Sequence, residues 1–475
     1  MPLKESPMRQ TISIFSTRSF LIIGTIGILP FIGGTGVSKE LLDHAYESAG
    51  DESIHILVEP GTEQEAINYY NRILTELGIG SGVPVLDQTI THLLEFCGYG
   101  AFLALDIETL DSRTMMNYAT LRLQVTNPPL FQAAFDSSPF KEDDVLVSRF
   151  FAPKISDVSN RGGPVSFGWR KIVRLKARPD SEASKKGVKS LFLLFNIFQD
   201  IQDINEDPFK NSSGNNQAII VRNDDSTLKD PIYWFVYGQI PDGRIQTFLP
   251  ASFDARDPRI PSISRYYVPH ACADCHGGLD GNGQPDYDAA KLNYLDSDHW
   301  FDRVQWSDDF DAMQRSINGI IFDGGKVRAD GGVPETTPEF AEAFKVIRKL
   351  NSEIRDQTAS QTAGSFQLRA VETWLENHKS SELYVSPLDR ALLKGDPADR
   401  AWDKSDPVDQ GLLPMLNRYC FRCHSSLKYH VFDKEMVFDR KAHISVFIKG
   451  GLMPQDRQLE QATIDRIEAL VKELR

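Results

Sequence analysis

Cysteine is scarce in this chain: five residues out of 475. A disulfide-stapled scaffold is excluded by that count, because small oxidised domains are far denser in cysteine. Positive charge is also in short supply. Lys and Arg total 52 against 66 Asp and Glu, for a formal net charge of -14. A nucleic-acid-binding protein needs a basic surface to displace counterions, so this balance argues against such a partner. Apart from one N-terminal run, no hydrophobic segment approaches membrane length. From about Glu40 to Asp254 there is no phosphate-cradling glycine loop, no recognisable nucleophile and no metal-ligand cluster. Hydrophobic residues at 41% and charged residues at 25% are ordinary for a globular protein.

The few cysteines present are not scattered. Cys272 and Cys275 stand three apart in YYVPHACADCHGG and are followed at once by His276. Cys420 and Cys423 repeat the arrangement in NRYCFRCHSS, followed by His424. With this composition, one chance occurrence of CxxCH is expected on the order of 0.001 times. CxxCH is the attachment signature of c-type haem: two thiols add across the porphyrin vinyl groups and the adjoining imidazole becomes an axial iron ligand. Cysteines three apart on a helix share one face, so both thioethers can form while the next residue swings beneath the iron. A four-thiolate zinc site is the competing reading. Its two pairs usually stand roughly 15 to 20 residues apart, whereas Cys275 and Cys420 are much further apart and each pair carries the same trailing histidine. The motifs leave Cys97 with no cysteine for an intramolecular disulfide.

The N-terminus places Lys4, Arg9 and Arg18 ahead of the apolar run FLIIGTIGILPFI, Phe20 to Ile32, with Pro30 inside it and Gly34 and Gly36 after it. A run this short suits a signal-peptide core with cleavage near Gly36. A retained N-terminal anchor is the alternative, and only then is a membrane a partner. Either way the expected location is periplasmic, which agrees with covalent haem attachment outside the cytoplasmic membrane.

Four segments are expected: a signal peptide over 1–36, a haem-free α+β domain over 37–254, a first haem c domain with a helical extension over 255–400, and a C-terminal cytochrome c domain over 401–475. The fold class is therefore multidomain, an α+β N-terminal domain followed by mainly α-helical haem domains. In the first domain Ile67, Tyr70, Ile73, Leu74 and Leu77 form a helical stripe over Glu63 to Gly78, closed by glycine. A second helix is expected over Asp87 to Cys97, and a third in SKKGVKSLFLLFNIFQDI from Ser184. Strands are expected from Val165, Gln217, Ile232 and Ile245. Further on, PEFAEAFKVIRKLNSEIRD, FQLRAVETWLEN and ATIDRIEALVKEL have helical periodicity, and SPLDRALLKGDPADRAWDKSDP reads as a connector.

The last stretch, with CFRCH, then KGGLMPQD, then a terminal amphipathic helix, resembles a compact class I cytochrome c domain. That resemblance implies a sixth iron ligand from the Met-Pro turn, Met453, in a loop shorter than in many members of the family. A thioether ligand raises the potential relative to a second imidazole. Met436, His430 and His443 are the other candidates. ACADCHGGLDGNG resembles the opening of a second such domain, but no Met-Pro turn follows it. The first histidine downstream is His299 in LDSDHWFDR, which would make the first haem bis-histidine and lower in potential. Its ordinary alternative is a surface or core histidine paired with Asp296 or Asp298. DGNGQPDYD spaces oxygens somewhat like a calcium loop but lacks the glycine at its sixth position and the acid at its twelfth, and reads as a polar turn.

Two functions fit these residues. The first is a dihaem electron carrier with both irons six-coordinate and redox proteins as partners. The second follows a weaker resemblance to bacterial dihaem cytochrome c peroxidases, which covers little beyond the paired motifs. It would make the first haem the reaction centre for an unidentified small-molecule substrate. His299 would then be displaced or act in proton transfer, Arg303 would stabilise developing charge, and Trp300 or Trp306 would relay a hole. A third reading makes the N-terminal domain a binding module wired to the haems.

Overall fold

A computed structural model describes residues 61–99, 144–153, 167–197, 216–238, 243–253, 263–276, 285–295, 320–322, 325–326, 338–361, 366–379, 401–420, 424, 430–451, 453 and 459–475. The chain divides into two units, Met1–Thr35 and Gly36–Arg475, and the expected signal peptide lies outside the described residues.

The first described element is helix α1, Glu63–Leu77. Thr62 caps its N-terminus by accepting from the Glu65 amide, and Gly78 closes it at φ 75. That left-handed position costs glycine nothing and leaves its amide bonded to the Leu74 carbonyl. Helix α2, Ile90–Phe96, is shorter than the span expected from Asp87, because a separate 3-10 turn occupies Val85–Asp87.

Seven strands form one antiparallel sheet: β1 (Val145–Pro153), β2 (Phe167–Lys176), β3 (Val188–Ile197), β4 (Asn216–Arg222), β5 (Ile232–Tyr237), β8 (Ile320–Phe322) and β9 (Gly325–Lys326). Their order is β5-β4-β3-β2-β1-β8-β9, so the first five are a simple meander. Strand β3 corrects the helix expected from Ser184. Only a single turn, α3 (Glu182–Lys185), is helical there, and Gly187 at φ 79 ends it. The apolar run that follows pairs on both sides, Leu191 with Leu175 of β2 and with Ile220 of β4. A near-continuous apolar run is not separated from a buried helix by periodicity alone, and here the pairing on both edges decides for strand. A second, two-stranded sheet joins β6 (Phe248–Phe253) to β7 (Ile263–Tyr267).

β5 lies at one end of the seven-stranded sheet, and α1 crosses it. The Trp234 amide donates to the Tyr69 hydroxyl at 2.9 Å, and the Val236 amide to the Tyr70 hydroxyl at 3.2 Å. Two tyrosines thereby satisfy strand donors that an open edge would leave exposed to pairing with another chain. The Tyr70 hydroxyl donates onward to the Gln246 carbonyl at 2.9 Å. Tyr70, Tyr233, Trp234, Phe235 and Tyr237 are fully buried at this junction. Burial of each such ring contributes on the order of 2 kcal/mol.

β7 leads into helix α4 (His270–His276), and later helices are α5 (Pro338–Gln361) and α6 (Phe366–Asn377). Arg174 of β2, buried, reaches Glu353 of α5 at 2.6 Å and so ties sheet to helix. One hydrophobic core runs from Ala66 through β5, Cys272 and Tyr294 to Trp374. It includes residues on both sides of position 254. The motif helix α4 packs on β7, and its small residues Ala271 and Ala273 are buried.

A separate core is made of residues from Trp402 to Leu474. Its helices are α7 (Pro407–Tyr419), α8 (Lys434–Asp439), α9 (Lys441–Lys449) and α10 (Gln461–Glu473). α7 and α9 both pack on α10. At the α7 crossing Gly411 permits close approach, since a methyl there would meet Leu470 at 3.1 Å. Among the described residues no helix is long and apolar enough to cross a membrane.

Candidate functional site

The first motif lies in α4, which places Cys272 and Cys275 one turn apart on the helix. Cys272 is buried, while the Cys275 side chain lies outside what is described. His276 closes the helix. Its Nδ1 stands 2.9 Å from the Lys291 carbonyl oxygen, and the Lys291 amide returns a bond to the His276 carbonyl at 3.0 Å. A carbonyl only accepts, so Nδ1 must carry the proton, and in the neutral ring Nε2 then holds the lone pair. Burial pushes His276 down to about 4, with the Lys291 bond acting the other way. At neutral pH the side chain is therefore an oriented, uncharged imidazole with Nε2 as the donor atom. Such a second bond, fixing tautomer and ring direction, is what a metal-ligating histidine needs.

The wall beside His276 comes from the N-terminal part of the chain. Trp234 of β5 lies 6.1 Å from His276, ring centre to ring centre. Tyr287 is 6.3 Å and Tyr69 is 6.4 Å from Trp234, and Tyr69 and Tyr287 stack at 5.6 Å. Arg72 caps this stack, 4.5 Å above Tyr287, while bonded to Asp230 at 2.7 Å. Burial raises the pKa of Tyr69 and of Tyr70 and keeps both phenols protonated, with the amides of Trp234 and Val236 acting the other way. The wall beside His276 is thus apolar and aromatic.

Two buried side chains, one in this wall and one at the start of α4, have polar atoms that lack partners among the described residues. The Trp234 indole N–H and both ring nitrogens of His270 have no hydrogen-bond partner among the described residues. His270 is 2% exposed and packs so closely on Gly61 that a methyl there would come within 2.5 Å of Nδ1. Buried polar atoms without partners are costly and are characteristic of sites that bind a further group. The residues present therefore fit a porphyrin at the first motif: thiol positions on one helical face, an oriented imidazole and an aromatic wall.

The second motif begins where α7 ends. Cys420 is the C-cap, its amide bonded to the Leu416 carbonyl, and the His424 amide bonds the Cys420 carbonyl at 2.9 Å. One helical turn thus separates the first thiol from the histidine. Cys423 lies outside the described residues. The Val431 amide donates to the His424 carbonyl at 3.0 Å and anchors the residue from the other side. Met453 follows the turn after α9, beyond Gly451 at φ 68, and its amide bonds the Phe447 carbonyl at 3.2 Å. Its side chain is half-buried. His430 has both ring nitrogens occupied. Nδ1 accepts from the Phe432 amide at 3.1 Å, and Nε2 stands 3.1 Å from the Tyr294 hydroxyl. His299, Trp300, Arg303 and Trp306 lie outside the described residues.

Sequence reasoning did not find Lys291, Trp234 or Tyr294. Lys291 acts through its backbone, which leaves no residue signature. Trp234 was visible as an aromatic in a strand, with nothing to connect it to His276. No family model, curated protein or solved structure matches this chain.

Proposed function

We propose that the protein is an exported, periplasmic dihaem c-type cytochrome, built as an α+β segment followed by helical haem-binding segments, that passes electrons between redox partner proteins. Cys272 and Cys275 would hold one haem and Cys420 and Cys423 the other. His276 and His424 would each ligate an iron, with Met453 as the further ligand of the second haem and His299 as that of the first. Iron held this way supplies one-electron chemistry at a potential set by the axial pair and by burial.

The observation that carries the reading is the hydrogen bond from His276 Nδ1 to the Lys291 carbonyl inside the first CxxCH segment. A tautomer fixed at Nδ1 leaves the Nε2 lone pair free, as a ligating imidazole needs. In this site the chain's own residues orient the imidazole, pack Trp234 beside it and hold the Nδ1 proton on a carbonyl that cannot take it.

The test is the haem content of protein produced with a c-type maturation system. Intact mass and the pyridine haemochrome spectrum are expected to give two covalently bound haems. Paired Cys272→Ser/Cys275→Ser and Cys420→Ser/Cys423→Ser variants each retain one. Wild-type protein without covalently bound haem refutes the proposal.

A further inference from the structure

The two motif segments belong to different cores, yet an unbroken line of bonds joins their axial histidines. His276 and Lys291 exchange two hydrogen bonds, at 2.9 and 3.0 Å. The chain from Lys291 to Leu295 is then clamped against α5. The Leu292 amide donates to Gln357 Oε1 at 3.3 Å, and Asn351 takes the Leu295 amide and returns a bond to its carbonyl, both at 2.8 Å. Between these anchors Tyr294, buried, extends to His430. Because Nδ1 of His430 accepts from the Phe432 amide, the neutral ring carries its proton on Nε2 and donates it to the Tyr294 oxygen. The next residue, Val431, holds the His424 carbonyl.

We infer that Tyr294 and His430 are a positioning pair that joins the two motif segments, so that a change at one axial histidine is felt at the other. The inference rests on the dihaem reading for its functional meaning, though not for the existence of the link. Both side chains are enclosed, 7% and 3% exposed, so water does not compete for the bond. The clamp on α5 makes the link effective. A displacement of Lys291 has little slack in which to dissipate, and rigid, doubly anchored segments are what carry coupling between sites. The size of the effect is bounded by the bond itself. One neutral hydrogen bond is worth about a five-fold change in an equilibrium constant. For a one-electron couple that factor corresponds to about 40 mV.

Two readouts test the pair on the full-length protein. The first is amide hydrogen exchange at Lys291 and Val431, which needs no haem. Tyr294→Phe keeps the ring and deletes only the hydroxyl, and it is expected to raise exchange at both amides by about five-fold. The second is a redox titration. Tyr294→Phe is expected to change the separation of the two midpoint potentials by up to about 40 mV. His430→Gln alone, which retains an acceptor for the Phe432 amide and a donor for the Tyr294 hydroxyl, is expected to leave the separation at its wild-type value. A Tyr294→Phe/His430→Phe double variant is expected to shift the separation no further than Tyr294→Phe alone. Exchange that rises on one side only, or unchanged potentials in Tyr294→Phe, overturns the inference while two bound haems keep the dihaem reading. Absence of bound haem overturns that reading instead, and concerted exchange at both amides then still supports the link.

Discussion

The core that carries the second motif contains a buried ion pair whose removal has a calculable consequence. Lys434 Nζ lies 2.7 Å from Asp409 Oδ2, with side-chain exposures of 9% and 0%. The same oxygen accepts the Asp403 amide at 2.7 Å, while Oδ1 has no partner among the described residues. Lys434 also stands 5.7 Å over the Trp402 ring, whose indole N–H donates to the Phe432 carbonyl. The pair thus joins α7, which ends at Cys420, to α8 and to the segment before α7. Its gross attraction, about 6 kcal/mol at an effective dielectric of 20, is largely offset by the desolvation of two ions. Breaking it is another matter. Lys434→Met leaves a charged carboxylate in the core with one backbone donor, which costs roughly 3 to 5 kcal/mol. Amide exchange at Leu412, Leu413 and Leu416 in α7 should accelerate by roughly a hundred-fold or more, since each 1.36 kcal/mol is a factor of ten. Asp409→Leu/Lys434→Met removes both charges at similar volume and should return exchange to within roughly ten-fold of wild type. If Lys434→Met alone stays within about two-fold, the spread of a neutral surface change, the pair is not buried as described and the reasoning fails.

Two shorter tests address the remaining cysteine and the sulfur ligand. Cys97 is fully buried, and burial alone raises its thiol well above the ordinary range. The sign is unambiguous: a raised value keeps the thiol protonated and unreactive, so at pH 8 folded protein should take up no iodoacetamide at Cys97, while urea-unfolded protein is labelled there, as peptide mass spectrometry would show. Met453→Ala removes the expected thioether. The potential of the second haem should fall and its ferrous form should bind carbon monoxide rapidly, both read by spectroelectrochemistry; an unchanged potential means that Met453 is not the ligand.

The elements legible in advance were those whose reasons are local. α1 carries its apolar stripe, its capping threonine and its closing glycine within its own residues, and its observed limits match the pattern. β4 and β5 were legible for the same reason, being short β-branched and aromatic runs between polar turns. α7 escaped although its start is signalled: Asp406 caps it and Pro407 fills a position where no amide is needed. The proline-rich stretch before it drew the connector reading forward over that signal. β3 escaped because its strand character is decided by its neighbours, β2 and β4, which supply the bonds on both sides.

The same division separates the legible part of the site from the hidden part. CxxCH is a local arrangement written in consecutive residues; on the proposed reading its thiols and imidazole would meet one macrocycle. The surroundings that tune it are not. The Lys291 carbonyl, the Trp234 ring and the Tyr294–His430 bond reach the motifs through the meander, the clamp on α5 and the meeting of two cores. Each depends on backbone position or on pairs distant in sequence. A substitution at Trp234 therefore tests the tertiary contribution separately from the chemistry of attachment. Trp234→Phe leaves both thiols and both histidines in place, so any change in potential that it produces belongs to the enclosure supplied by the sheet.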